Sequence, residues 1–241
     1  MRCDELIRKL VLEGTVDYAA AASLASARSF VAQQGGSFLA DFPVAVSLGI
    51  VLPNDVVDLL PRRNERAVQV SYRTHAYGIV NQRLDLAASE LASTLQKEGC
   101  RAFPVAASER VDDERLCGIF SHKLAASLGG LGWIGKNCLL ITPQHGPRVR
   151  WATVLTDAPF EVGGKPVADG CGGCSKCVEI CPARAFTGRG FDPEEPRELR
   201  YEAKKCDQYF RTLEKSGNLP VCGMCLYVCP YGKVSATEDS F

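Results

Sequence analysis

Eight of the twelve cysteines in this 241-residue chain lie between positions 171 and 241, and their spacing is the feature best suited to chemistry. The first group runs Cys171-x2-Cys174-x2-Cys177-x3-Cys181-Pro182. In that spacing three thiolates of one loop hold a [4Fe–4S] cubane, and the fourth ligates a second one. The second group, Cys222-x2-Cys225-x3-Cys229-Pro230, repeats the Cys-Pro ending but has Leu219 where its first cysteine would stand. Cys206, alone between the groups, supplies the missing thiolate. Four, one and three make eight, the number that two cubanes need. The interleaving assigns Cys171, Cys174, Cys177 and Cys229 to one cluster, and Cys181, Cys206, Cys222 and Cys225 to the other. Structural zinc also takes Cys-x2-Cys pairs, but it would leave the third cysteine and the Cys-Pro ending of each group without a role. The scattered Cys3, Cys100, Cys117 and Cys138 read as small buried hydrophobes.

A second constellation is the string GLGWIGK, in which Gly130, Gly132 and Gly135 formally match a dinucleotide fingerprint. That fingerprint needs a strand before it and a helix N-terminus after it, to face the pyrophosphate. Here a helix precedes and the strand-like CLLIT follows, so the dinucleotide reading fails. A loop remains in which backbone can approach another group closely, with Trp133 as a flat platform and Lys136 as a cation. His122, just before this loop, is a candidate proton donor, and Tyr77 is another. No Ser–His–Asp or Cys–His arrangement is supported.

The elements that must position these residues follow from composition and periodicity. With 28 basic and 28 acidic side chains the formal net charge is zero, which gives no global field for nucleic acid or anionic membrane. A hydrophobic share of 46% and a charged share of 23% fit a globular protein with an ordinary core. The N-terminus MRCDELIRKL reads as neither a secretory signal nor a membrane span, so a reducing cytoplasm is expected, where clustered cysteines mean metal. Helices are expected over residues 3–12, 17–34, 65–98 and 118–128, and strands over 43–52 and 100–106. Residues 138–142 and 149–156 read as a hairpin across the PQHGP turn. This implies an α/β domain over residues 1–165, a mixed sheet with flanking helices. The glycine-rich 162–170 then leads into a small ferredoxin-like domain with two clusters over residues 166–241.

The string GLGWIGKNCLL, then VLTDAPFE, CGGCSKCVEICPARAF, the isolated Cys206 and CGMCLYVCPYGK together resemble epoxyqueuosine reductase and its relatives over residues 118–232. The resemblance implies an oxidoreductase that uses cobalamin and two [4Fe–4S] clusters, with a corrinoid-binding part similar to that of the reductive dehalogenases. By the same resemblance Gly130, Gly132, Trp133, Gly135 and Lys136 line a corrinoid site. The family's catalytic aspartate would fall at Leu116, with Asp112 and Asp113 nearby, so Asp113 joins His122 and Tyr77 as a candidate. The family's helical-repeat tail that helps hold tRNA is not seen before Phe241, and with the zero charge this makes nucleic acid an unexpected partner. Expected instead are a ferredoxin- or flavodoxin-like redox donor and a small-molecule or corrinoid substrate. The alternative is an electron-transfer protein with no substrate of its own, which reduces a partner's corrinoid or flavin.

Overall fold

A computed structural model describes residues 3–233. The chain begins with helix α1 (Cys3–Leu12) and strand β1 (Tyr18–Ser23), then α2 (Arg28–Gly35), α3 (Ser37–Ala40) and strand β2 (Val44–Val51). Helices α4 (Asn54–Asp58) and α5 (Arg66–Tyr72) follow, and a π-helical segment (Arg73–Ile79) leads into α6 (Val80–Lys97). Next come β3 (Ala102–Val105), α7 (His122–Leu128), β4 (Trp133–Ile134), β5 (Leu140–Ile141) and β6 (Val149–Thr156). The cysteine-rich segment holds α8 (Lys176–Glu179), α9 (Ala203–Lys215) and α10 (Met224–Tyr227). No helix among the described residues is long and apolar enough to cross a membrane.

The main sheet has the order β1-β2-β6-β3, and β4 pairs with β5 in a small separate ribbon. Period-two alternation explains how the central strands bury both faces. Val44, Val46, Leu48 and Ile50 of β2 join Ala152 and Val154 of β6 in a core shared with α1 and α6. The alternate residues Ala45 and Leu155 pack on the other face with Val31 of α2, Leu39 of α3 and Ala125 of α7. Gly49 faces the opposite Trp151, where an added Cβ would lie 2.5 Å from the indole ring.

The α/β character and the following cluster segment match the sequence reading, with three differences. First, every strand pair of the main sheet is antiparallel, so the sheet is not mixed. The helical connection from β2 to β3 returns the chain in the same direction, but β6 lies between these two strands and runs opposite to both. Second, the helix expected over 17–34 is divided, since Tyr18–Ser23 is a strand and helix resumes at Arg28. Alanine's helix preference yields to pairing with β2, anchored where the Asp17 carboxylate accepts the Val51 N–H at 2.7 Å. The small side chains also let α7 approach closely, because a Cβ on Gly129 would lie 3.2 Å from that of Ala20. Third, β5 and β6 do not form a hairpin: β5 pairs with β4, while β6 lies between β2 and β3. The PQHGP turn closes instead through mutual Thr142–Gly146 backbone bonds of 2.9 Å.

The cysteine-rich segment has little regular structure, yet it is built into the rest of the molecule. Val221, Met224 and Leu226 enter the core shared with α1 and α6, and Gln69 of α5 donates to Asn218 at 3.0 Å. The buried Arg148 guanidinium donates to Asn54 at 2.9 Å and to Asp58 at 2.7 Å. Its side chain also lies directly under Gly232, three residues after Cys229. The extended stretch 162–170 runs back along the molecule, with Gly164 against Gly129 and Lys165 against Gly130.

Candidate iron–sulfur site

Short local elements present the thiols. Backbone N–H of Cys174 donates to the Cys171 carbonyl at 2.9 Å, curling the first loop so that successive cysteines turn inward before α8 carries Cys177. Cys206 sits on α9, Cys225 on α10, and Cys229 ends the run at the Pro230 turn. Position 219, the gap in the second motif, is a core residue: Leu219 packs against the main core and its N–H donates to Gln69 at 3.2 Å.

The thiols stand in two neighbourhoods. Burial pushes the Cys177 thiol up to about 11, and the nearby charges of Cys171, Cys174 and Cys229 push in the same direction. Burial likewise raises the Cys206 thiol, opposed by the Tyr201 hydroxyl and reinforced by Cys222 and Cys181. Cys225, half-buried, is raised well above the usual range by burial first and then by Cys222, Cys206 and Cys181. Cys177 adds a smaller effect at Cys225, so the two neighbourhoods adjoin. Among the described residues no three His, Cys, Asp or Glu side chains converge on one metal-ion position. A cubane spreads its four thiolates over four irons, so open quartets are the arrangement it takes.

A cavity of about 340 Å³ lies at the first quartet, lined by Cys171, Cys174, Cys177 and Cys229 with Lys136 and Tyr231. Hydrogen-bond donors face the sulfurs: the Lys136 backbone and the Trp133 indole at Cys171, and the Tyr231 and Gly232 backbone at Cys229. At the second quartet Ala185 N–H donates to Cys181 Sγ at 3.4 Å, and Arg63 and the Met224 backbone face Cys222. The cavity at the first quartet, and the spread thiols and surrounding donors at both, fit an anionic cluster at each.

The glycine loop lies against the first quartet. A Cβ on Gly132 would meet the Ile141 carbonyl oxygen at 2.1 Å, and one on Gly135 would meet the Ile141 side chain at 2.3 Å. Gly130 has φ +76° and lies against the Lys165 carbonyl. Trp133 is buried with Ile141 and Cys229, while Lys136 Nζ donates to the Gly172 carbonyl at 2.7 Å and to the Cys174 carbonyl at 3.2 Å. The glycines of the string therefore allow close packing, and Trp133 and Lys136 pack against or hold the loop of the first quartet.

An open groove of about 530 Å³ lies elsewhere, lined by Tyr77, Asn81, Asp85 and Leu86 together with Ser108 and Glu109. The π-helical segment turns Tyr77 toward it, a local irregularity of a kind frequent at functional sites. Arg150 of β6 lies over the Tyr77 ring at 4.8 Å and donates to Asn81 at 3.0 Å. The Tyr77 phenol is raised by burial, lowered by Arg150, and raised again by Cys225, Cys206 and Cys222, which places it beside the second quartet. Tyr72, edge-to-face with Tyr77 at 5.7 Å, lies near two of these cysteines, Cys225 and Cys222.

The other candidates fare differently. His122 Nδ1 meets Thr153 Oγ1 at 2.8 Å and Nε2 meets the Ala106 carbonyl at 3.0 Å, so both ring nitrogens are engaged. Burial lowers its pKa to about 4, which keeps the ring neutral near pH 7. The Asp113 side chain is 96% exposed and pairs with Arg110 at 3.8 Å, outside the groove lining. Asp112 holds a turn by accepting the Glu114 and Arg115 N–H groups at 2.9 and 2.8 Å. Asn81, Asp85, Ser108, Glu109 and Arg150 were not singled out in the sequence. The first two share a helical face with Tyr77, but only the fold brings the others to it.

Fold and cysteines define a protein in which an α/β region leads into a double-cluster segment, and the family described as 4Fe-4S double cluster binding domain matches residues 170–232. The chain is 34% identical over 126 residues to an epoxyqueuosine reductase of Bacillus cereus, covering 48% of this chain and 30% of that protein. It is 35% identical over 132 residues to one of Listeria monocytogenes, covering 52% and 34%. Among solved structures, epoxyqueuosine reductase from Streptococcus thermophilus superimposes with TM-score 0.61 at 16% identity, covering 99% of this chain and 69% of that one. The catabolic reductive dehalogenase NpRdhA gives 0.67 at 20% identity, covering 90% and 30%. The chain thus carries a 4Fe-4S double cluster domain over residues 170–232, is similar in sequence to epoxyqueuosine reductases over about half its length, and shares its fold with them and with the reductive dehalogenases. It spans about a third of the length of the curated relatives it matches.

Proposed function

We propose that the chain is an iron–sulfur reductase that holds one [4Fe–4S] cluster at Cys171, Cys174, Cys177 and Cys229 and another at Cys181, Cys206, Cys222 and Cys225. Its acceptor rests in the groove over Tyr77. The observation that carries this reading is that Tyr77 belongs both to the groove lining and to the surroundings of Cys206, Cys222 and Cys225. When bound, the clusters supply single electrons at low potential, and the adjoining quartets make a short relay.

The remaining work falls to the chain's own side chains. Tyr77 keeps its proton through burial and the nearby cysteines, so its Oη can give that proton to an acceptor that has gained electrons. Arg150, held by Asn81, fixes the ring from one face. Asp85 accepts the Ala107 N–H at 2.8 Å and so fixes the wall that bears Ser108 and Glu109. The groove combines the apolar surface of Tyr77 and Leu86 with amide, hydroxyl and carboxylate groups. That mixture fits a corrinoid, an apolar ring edged with amides, which the epoxyqueuosine reductase resemblance also implies. A small organic acceptor is accommodated by the same groups. At the opposite quartet, Lys136 and Lys176 beside the cavity suit an acidic donor of the ferredoxin or flavodoxin type.

Hydroxocobalamin titrated into anaerobically purified, iron-loaded protein tests this reading. A saturable change in the visible spectrum is expected, and Ser108→Trp, which fills the groove, should weaken binding by about tenfold or more at unchanged iron content. The absence of any change at tens of micromolar would instead favour a relay protein that serves a partner's corrinoid or flavin.

A further inference from the structure

The Trp133 side chain is enclosed from several sides by ring, turn and ribbon contacts. Its ring is 6% exposed and meets Tyr231 edge-to-face at 4.8 Å, and Tyr231 in turn donates its hydroxyl to the Gly170 carbonyl at 3.0 Å. A Cβ on Gly170 would lie 2.9 Å from Trp133 Cζ2 and 2.5 Å from Tyr231 Oη, so the residue before Cys171 has no room for a side chain. The β4–β5 ribbon fixes the other side, because Trp133 pairs with Ile141 and Gly132 lies directly under the Ile141 carbonyl. Within this cage the indole Nε1 is buried and has no hydrogen-bond partner among the described residues. The Cys171 sulfur is the group it faces, next to the backbone N–H of Lys136. A buried N–H left unpaired is unfavourable, and a thiolate at Cys171 removes that penalty.

We infer that Trp133 sets the reduction potential of the cluster held by Cys171, Cys174, Cys177 and Cys229, by donating its indole N–H to the Cys171 sulfur. The inference rests on the two-cluster reading above. Reduction adds negative charge to a cluster and its thiolates, so a donor aimed at a ligating sulfur stabilises the reduced form more than the oxidised form and raises the potential. At the second quartet the donors near Cys206 and Cys222 are Tyr201, Arg63 and the Met224 backbone, so the effect of Trp133 falls on the first cluster. It is a positioning residue, and its tryptophan identity reflects the N–H as well as the ring.

Trp133→Phe retains an aromatic ring and removes the donor. In an EPR-monitored redox titration of anaerobic, iron-loaded protein, the midpoint potential of one cluster should fall while the other stays in place, at about eight iron per chain. Unchanged midpoints at full iron content overturn the inference. Wild-type protein without about eight iron overturns the two-cluster reading instead. Should the variant lose the iron of one cluster, Trp151→Phe protein grown on 15N-tryptophan decides the matter, because its only labelled indole is Trp133. Pulsed EPR of the reduced protein should show a coupling from that nitrogen, and its absence overturns the inference.

Discussion

Gly146 lies where the PQHGP turn meets the chain just after Cys229, which makes its replacement a sharp test of how the sheet holds the first quartet. Its φ is +55°, and an added Cβ would stand 2.4 Å from Gly232 N, 2.6 Å from Tyr231 C and 2.8 Å from Gly232 Cα. These are backbone atoms, so no side-chain rotation relieves the contact, and Arg148 on the other side of Gly232 blocks retreat. Gly146→Ala therefore incurs the left-handed backbone cost of about 1–2 kcal/mol and an overpacking cost of about 1–3 kcal/mol. Together these come to about 2–5 kcal/mol, or a drop in melting temperature of about 4–20 °C for a chain of this size. Because Gly232 N–H closes the turn on the Cys229 carbonyl at 3.1 Å, displacement of Gly232 also disturbs Cys229, and the iron content should fall below that of the wild type. The assay is anaerobic thermal unfolding at a fixed scan rate, paired with iron determination. Gly163→Ala is the control, since an added Cβ there meets nothing within 4 Å, and it should stay within about 0.5 kcal/mol. If Gly146→Ala melts within about a degree of the wild type and keeps all its iron, the coupling between this turn and Cys229 is refuted.

Two further outcomes are expected. Asp58→Ala leaves the Arg148 guanidinium, 2% exposed, with Asn54 as its remaining side-chain acceptor. Because Asp58 is itself half exposed, the loss should be about 1–3 kcal/mol, less than for a fully buried pair, and an unchanged urea midpoint would count against the tie. His122 has a folded pKa near 4, below its ordinary value of 6.5, so the unfolded chain binds its proton more readily. Stability is unaffected above about pH 6.5 and falls as the pH drops toward 4, by about 3 kcal/mol in all. His122→Gln should flatten this acid limb, and superimposable stability profiles between pH 4 and 7 would refute it.

How much of this was legible in the sequence depended on how local the signal was. The two cysteine motifs are read from spacing because neighbouring ligands come from one loop, and Leu219 pointed to Cys206 by arithmetic. The buried strands β2 and β6 stood out as β-branched apolar runs, and the long helical stretch from Arg66 to Lys97 from its three-to-four spacing. Strand β1 was hidden because Ala19–Ala22 carries a helical preference that pairing with β2 overrides. The π-helical turn at Arg73–Ile79 has no periodic signature, yet it decides where Tyr77 points. Strand direction was also invisible, since apolar runs separated by helices look alike whether the sheet is mixed or antiparallel. The groove draws on α6, the loop after β3 and, through Arg150, on β6, so its assembly is a property of the fold. The GLGWIGK string was legible as a place of close backbone approach, but what approaches is Ile141, Lys165 and the loop of the first quartet.

The central claim is that eight thiols hold two interleaved clusters, and counting metal in two proteins tests it most directly. Wild-type chain, purified or reconstituted without oxygen, should hold about eight iron and give the Mössbauer spectrum of cubanes, while Cys206→Ala should keep about four. Zinc in place of iron, or a Cys206→Ala protein that retains both clusters, would contradict the account.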